Sequence, residues 1–499
     1  MSRINPAPAK YAILFFGCVL FHIAGTWNLP LIDRDEPRFA EASREMIQRG
    51  DYIVPYFNGN LRLDKPPLTY WAQVVSFKIF GENDFAARFP SAIAAAFIGV
   101  VLLAWGRRIA GEKAGWGAAI IFTLSLQVFV HAKAAVADMW LVLFVTTAYW
   151  TGWEMMQRVT LNQGAAASKP PWAIWRSPFL GFYLSLAFGF LAKGPIAWVP
   201  LLTVGLTTFF ARDLTLVRQF KFVRGILLML AVVSLWGVPA LIQTHGEFFS
   251  VGVGRHVIGR SFGAMEGHGA NSVGIYLLLL PFYFVTVFAS FLPWSIKLPW
   301  LVKTTWRHRD KTDNFLIAGI VVIFIIFTLI KTKLPHYTLP AFPLLALLLA
   351  RSWQGTAASE PPQRFGKRLP LAAVVTTAIW LAIAFVTPPL VAQSFPAYAL
   401  FQQSRHALQP EMEFACVDYT EPSLVWYFRS RAKGFMTALK RKDAAEFMNK
   451  DGPRFVILPS ALVPKSFAVL PSTWRTFSSR GFNIAKGKFV DLTLILKPE

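Results

Sequence analysis

Leu31-Ile32-Asp33-Arg34-Asp35-Glu36-Pro37-Arg38-Phe39-Ala40-Glu41 follows directly on an apolar run from Tyr11 to Leu29. A run of roughly 18 or more apolar residues reads as a transmembrane helix. Three carboxylates, Asp33, Asp35 and Glu36, therefore stand where the chain leaves the bilayer. Pro37 fits the first turn of a helix. After it, Phe39, Ala42, Met46 and Ile47 recur at helical spacing, with Arg38, Glu41, Arg44 and Glu45 between them. The pattern predicts an amphipathic helix on the membrane surface, holding Asp35 and Glu36 at the lipid–water boundary.

The remaining sequence fits that start. Of 499 residues, 55% are hydrophobic and 15% charged, too few charges to cover the surface of a soluble chain of this length. Apolar runs recur near 11–30, 88–109, 115–131, 137–157, 177–192, 195–211, 224–242, 273–295, 314–330, 337–351 and 370–390, about eleven spans. The first has no small-residue cleavage site after it and reads as an uncleaved span rather than a signal peptide. The net charge of +23 comes from Lys and Arg in alternate short loops, such as Arg107, Arg108 and Lys113, or Arg212, Arg218, Lys221 and Arg224. That alternation is the positive-inside pattern and sets those loops and the N-terminus in the cytoplasm. It also removes the case for nucleic-acid binding. Three long pieces then fall on the opposite side: 31–87, 243–272 and the tail from 391. Residues 1–390 form the membrane domain. Residues 391–499 alternate strand-like runs (Phe414–Val417, Phe455–Leu458, Leu492–Leu496) with a helical pattern from Glu421 to Arg429, which predicts a small α/β domain. Cys18 and Cys416 offer neither a disulfide nor a metal spacing.

A carboxylate at the membrane face suits one kind of reaction. A sugar on a lipid phosphate carries its reactive carbon near the headgroups, and a base at that depth can take the proton of an acceptor hydroxyl. The leaving phosphate needs cations. Asp35 and Asp138, which opens the fourth span, are the candidate carboxylates; both also fit helix capping. Several cations face the same side against the positive-inside trend. They are Lys65 before Pro66-Pro67, Lys193 between two apolar runs, Arg255, His256 and Arg260 in 243–272, and Lys331, Lys333 and His336 beside Tyr337. Interfacial snorkelling explains any one of them; several on the carboxylate side point to a site.

In order along the chain come Asp35-Glu36-Pro37-Arg38-Phe39-Ala40-Glu41, Asp64-Lys65-Pro66-Pro67-Leu68-Thr69-Tyr70-Trp71, Ala137-Asp138-Met139, Leu191-Ala192-Lys193-Gly194-Pro195, Arg255-His256-Val257-Ile258-Gly259-Arg260 and Lys333-Leu334-Pro335-His336-Tyr337. This ordered set resembles the bacterial aminoarabinose transferases of lipid A (the ArnT family) and, more widely, the dolichyl-phosphate-mannose protein mannosyltransferases. The resemblance implies an α-helical polytopic membrane protein of the GT-C fold, with about 11–13 transmembrane helices and periplasmic surface helices. It implies an inner-membrane, inverting glycosyltransferase with its active site on the periplasmic face. The donor would be an undecaprenyl-phosphate sugar, 4-amino-4-deoxy-L-arabinose or another monosaccharide. The acceptor would be lipid A, another glycan or a protein. Carried over residue by residue, Asp35 matches the essential acid and Asp138 the second acidic position. Arg38 and Lys65 match positions near the donor phosphate, and Lys193, Arg260 and Tyr337 match its cavity. Glu36, His256 and His336 complete the candidate substrate-binding set. Asp64 and His256 form a possible metal pair, but two ligands make a weak site, so no metal or other cofactor is required. The alternative class is a transporter or flippase of a lipid-linked sugar. That class places ionisable residues at the bilayer midplane on repeated, broken helices, whereas here they cluster at one face.

Overall fold

The computed structural model describes residues 6–161, 177–211, 214–252, 254, 272–307, 309–353 and 364–499. The first half is helical: α1 (Pro6–Ile23), α2 (Asp35–Arg49), α3 (Leu68–Phe80), α4 (Asp84–Ala110), α5 (Glu112–Thr123), α6 (Leu126–His131), α7 (Asp138–Leu161), α8 (Pro178–Lys193), α9 (Val199–Ala211), α10 (Leu214–Phe220) and α11 (Phe222–Gln243). Helices continue at 273–278, 282–290, 298–307, 311–329, 342–353 and 364–391. Every predicted span therefore carries helix, but the count of unbroken ones is smaller than about eleven to thirteen. Among the described residues, four helices are long and apolar enough to cross a membrane: Asp84–Ala110, Val217–Gln243, Lys311–Leu329 and Arg368–Ser394. A pair bent by 119°, Phe282–Ser290 with Trp294–Arg307, makes a fifth if taken as one span. The other runs are shorter or interrupted. The chain turns at Leu124 and Ser125 between α5 and α6, and 3-10 turns at Pro195–Trp198 and Pro335–Ala341 precede their α-helices. Proline, which lacks the N–H that a helix interior needs, opens both 3-10 turns.

By contact the chain divides into two compact units. The first holds the described residues within 1–22, 63–69 and 91–380. In it α8 packs along α7 and α11 along α8. Asp138 opens α7 and its ion-pair partner Lys193 closes α8, so these two helices run antiparallel. Small residues let helices approach closely, as membrane bundles require: a Cβ on Gly106 would lie 2.5 Å from the Gly115 Cα, and one on Gly225 would run into the Tyr183 ring. The buried hydroxyls of Tyr149 and Thr203, 2.9 Å apart, tie α7 to α9.

The second unit holds residues 23–62, 70–90 and 381–499. Most of the loop 31–87 thus groups with the tail rather than with the spans. The tail folds as a five-stranded sheet in the order β4-β3-β5-β7-β6. Its strands are β3 (Glu413–Val417), β4 (Lys433–Leu439), β5 (Arg454–Pro459), β6 (Arg475–Asn483) and β7 (Lys488–Lys497), after the short β1 (Tyr56–Phe57) and β2 (Asn60–Leu61) in the loop. β3 pairs in parallel with β4 and β5, while β7 pairs antiparallel with β5 and β6. Both faces of β3 and β5 are buried, as central parallel strands require. Val417, Val456, Phe447 and Ile495 share one core, and Phe414 stacks on Phe455 at 5.3 Å on the other face. The expected strands and the helix at Pro422–Phe428 are present; β4 and β6 had no expectation.

α2 corrects one expectation. Its apolar positions Phe39, Ala42 and Met46 are buried, but so are Glu41, Arg44 and Glu45. Its charged face is covered by protein instead of lying open at a membrane surface. Arg429 pairs with Glu41 and, at 3.1 Å, with Glu45, while Arg44 pairs with Glu41 and stacks 4.6 Å from the Trp426 ring centroid. Buried charges persist only when paired, and the tail supplies the partners.

Candidate functional site

In the first unit the centre is the meeting of α7 and α8. The Lys193 ammonium lies 2.5 Å from Asp138 Oδ1, with side chains 17% and 9% exposed. A carboxylate at a helix N-terminus and an ammonium at a helix C-terminus each suit the local helix dipole. Gly194, at φ 81°, ends α8 in a conformation that favours glycine, and Pro195 starts the next turn. The same packing brings in the 3-10 turn Pro335–Ala341, which carries His336 and Tyr337.

Two cavities flank this pair. One, of about 380 Å³, is lined by Lys65, Asp138, Lys193, His336 and Tyr337 together with Leu141, Val199, Ile326 and Phe327. The other, of about 420 Å³, shares Lys65, Lys193 and Trp198 and adds Asp64, Trp236 and Phe248. Two cations among largely apolar lining residues can receive an amphiphile with an anionic head. The Trp198 indole N–H is buried without a partner among the described residues. Trp198 stacks on Phe190 at 5.1 Å. An orphaned donor lining a cavity is one that a bound oxygen can satisfy.

Lys65, Lys193, Asp138, His336 and Tyr337 are thus brought together. Asp64 lies on the second cavity. His256 and Arg260 lie outside the described residues, so the Asp64–His256 metal pair has no described geometry. Lys333 turns elsewhere. Its ammonium donates to the carbonyls of Phe327 and Thr328, 3.0 and 2.5 Å away, and closes the end of the helix Lys311–Leu329. Burial pulls its pKa down to about 8.

The remaining candidates belong to the second unit. Asp35 is exposed at the first position of α2, and Arg38 is half-buried one turn on. Glu36 is buried and committed: Arg88 Nε and Nη2 donate to its two oxygens at 2.8 and 2.7 Å. The backbone N–H of Ile32 donates to it as well, at 2.8 Å. Asp33 accepts from the N–H and Oγ of Ser423 at 2.9 and 2.5 Å. Burial, with Glu421 nearby, raises its pKa to about 6 against those hydrogen bonds and Arg38.

Three residues escaped the sequence reading. Arg88 sits inside an apolar run, where a single charge reads as a boundary residue. Trp198 is one of 18 tryptophans. His131 ends α6, and its ring centroid lies 4.9 Å from that of His336. Its only signal was a histidine seven residues before Asp138.

The chain is also similar to known proteins. Residues 16–249 match the family described as Dolichyl-phosphate-mannose-protein mannosyltransferase (PMT). An uncharacterized protein of Aquifex aeolicus (strain VF5) is 26% identical over 63% of this chain and 58% of its own length. The undecaprenyl phosphate-alpha-4-amino-4-deoxy-L-arabinose arabinosyl transferase of Edwardsiella ictaluri (strain 93-146) is 30% identical over 68% of this chain and 58% of its own. The chain thus spans a little under three-fifths of these two curated relatives. The crystal structure of ArnT from Cupriavidus metallidurans bound to undecaprenyl phosphate superposes with a TM-score of 0.75 over 97% of this chain and 98% of that one, at 19% identity. At that identity the likeness speaks for the fold alone. With the PMT match over residues 16–249, the aminoarabinose-transferase relatives and the shared multi-spanning architecture, the chain is similar to the ArnT-like membrane glycosyltransferases and has their fold.

Proposed function

We propose that this protein is an inverting glycosyltransferase of the bacterial inner membrane. It moves a monosaccharide from a polyprenyl-phosphate donor to an acceptor on the periplasmic side, with lipid A the first candidate. The observation that carries the reading is that Lys65 and Lys193 line two largely apolar cavities together. A polyprenyl phosphate is an apolar chain ending in an anion, and each charge-assisted contact to that anion contributes about 1.5–3 kcal/mol. The names of the curated relatives point to the same donor class.

In the proposed step an acceptor oxygen attacks the anomeric carbon as the bond to the donor phosphate breaks. Asp35 takes the acceptor proton, a role assigned from its motif. Lys65 and Lys193 hold the negative charge gathering on the departing polyprenyl phosphate, and Tyr337 and Trp198 offer further hydrogen-bond donors. A single displacement inverts the anomeric centre. If the acceptor is itself a phosphate, it arrives ionised, and Asp35 then orients it or stabilises positive charge growing on the sugar. Asp138 anchors Lys193. Mass spectrometry of lipid A and envelope glycans, with and without the gene, tests the reading. The expected result is one species that loses a monosaccharide mass when the gene is deleted. Unchanged lipid A, glycans and glycoproteins would count against it.

A further inference from the structure

The geometry points to a zinc-class divalent cation site formed by His131, Asp138 and His336, which the sequence reading did not contain. One ligand atom from each residue lies within 4.8 Å of the other two. Zinc bonds of about 2.0–2.2 Å place ligand atoms about 3.5 Å apart, so a closure of roughly one ångström completes the set. Two imidazoles and a carboxylate form a borderline-soft donor set that suits zinc and leaves positions open for an exogenous ligand. The three residues come from three packed elements: the end of α6, the start of α7 and the 3-10 turn Pro335–Ala341.

A second observation concerns the tautomer. His131 Nδ1 lies 3.2 Å from the carbonyl oxygen of Gln127, one turn back on α6, and 3.0 Å from the Gln127 side-chain amide. The Gln127 amide nitrogen can only donate, so a proton on Nδ1 for that carbonyl requires the amide to turn its oxygen to the ring; Nε2 is then the lone-pair nitrogen. This is the support that metal-bound histidines ordinarily have. Asp138 retains an oxygen beyond the one facing Lys193, and a carboxylate has lone pairs enough for both. Asp138 and His336 line the cavity, so an entering oxyanion would complete the coordination shell.

Lys193 competes with the cation for Asp138. That competition has a sign that a merely structural cluster would not show: removing the ammonium strengthens metal binding. The site is read from its ligands and does not depend on the proposed transfer reaction, so each can fail alone. The test uses the full-length protein in detergent, without an affinity tag. It is equilibrated with Zn²⁺, dialysed and measured by elemental mass spectrometry. In parallel, Co²⁺ is titrated and followed by its visible absorption, with and without inorganic phosphate. The expected result is about one zinc per chain and a cobalt spectrum that phosphate alters. His131→Ala and His336→Ala should each weaken binding on the order of 100-fold, since one of three protein ligands is lost. Lys193→Met should tighten it on the order of tenfold, the Coulomb effect of a neighbouring charge even in a water-like dielectric. Variants are compared only where their size-exclusion profile matches the parent. No retained zinc in the parent protein, parent-like binding by both histidine variants, or weaker binding by Lys193→Met would overturn the site.

Discussion

Replacing Arg88 by alanine should unfold the second unit at a markedly lower temperature. Arg88 is 1% exposed and spends its whole guanidinium on protein. Nε and Nη2 hold both oxygens of Glu36. Nη1 donates to the carbonyls of Thr26 and Leu29 at 3.0 and 2.5 Å, and Nη2 to that of Pro30 at 2.8 Å. These carbonyls lie just past α1, where no helical N–H follows to satisfy them. Truncation leaves a buried carboxylate without its cation, which costs about 3–5 kcal/mol when one partner of such a pair is lost. For a unit of this size about 2–4 °C follows from each kcal/mol, so the melting temperature should fall by roughly 6–20 °C. Scanning fluorimetry in detergent reads it. Glu36→Leu on top of Arg88→Met removes both charges and should recover part of the loss, but not the part owed to three unsatisfied carbonyls. A shift below about 3 °C for Arg88→Ala, or a double variant no better than the single, would refute the argument. Glu36→Gln is by the same reasoning a stability variant.

Three other outcomes follow. Asp35→Asn should insert and fold normally yet lower turnover by on the order of 100-fold or more, the range for losing a general base; near-normal transfer with purified donor and acceptor would remove Asp35 from the mechanism. Asp33 has a folded pKa of about 6 against an ordinary 3.8, so the native state holds the extra proton between those values. Stability therefore falls as pH rises from about 4 to 6, by at most about 2–3 kcal/mol. Asp33→Asn keeps the Ser423 contacts and should flatten that slope in melting temperature against pH; an unchanged slope would show that other groups set it. Gly25→Ala should destabilise the second unit by about 2–5 kcal/mol, because Gly25 has φ 76° and a Cβ there would run into the Ala384 carbonyl oxygen. Parent-like expression and melting temperature would count against it.

The spans were legible because burial in lipid demands apolar residues at every position of a helix, and the Pro and Gly positions that break them were visible in the same runs. How many survive as unbroken helices was not, since breaks at Pro195 or Pro335 depend on packing. β3, β5 and β7 showed as apolar runs because the sheet's centre is buried. β4 and β6 lie at its edges, with mixed patterns such as Lys433–Leu439, and periodicity could not find them. In the site, Lys65, Asp138, Lys193, His336 and Tyr337 were readable as charges or motifs out of place. The commitment of Glu36 to Arg88 was not, because it joins residues 52 positions apart. The same holds for His131, whose meaning comes only from His336 across the fold.

The central claim is transfer from a polyprenyl phosphate, and its most direct measurement follows that carrier. Purified protein is supplied with polyprenyl phosphate bearing 4-amino-4-deoxy-L-arabinose, or each of several other monosaccharides, together with lipid A and an envelope glycan extract. Mass spectrometry then follows the carrier and the acceptor, and NMR the anomeric configuration of the product. The account predicts that one sugar leaves its carrier, that free polyprenyl phosphate and glycosylated acceptor appear in equal amounts with inverted configuration, and that Lys65→Ala and Lys193→Ala each slow the release at least about tenfold, the equivalent of one lost charge-assisted contact. Every donor remaining intact with folded protein, or release at the parent rate in both lysine variants, would contradict it.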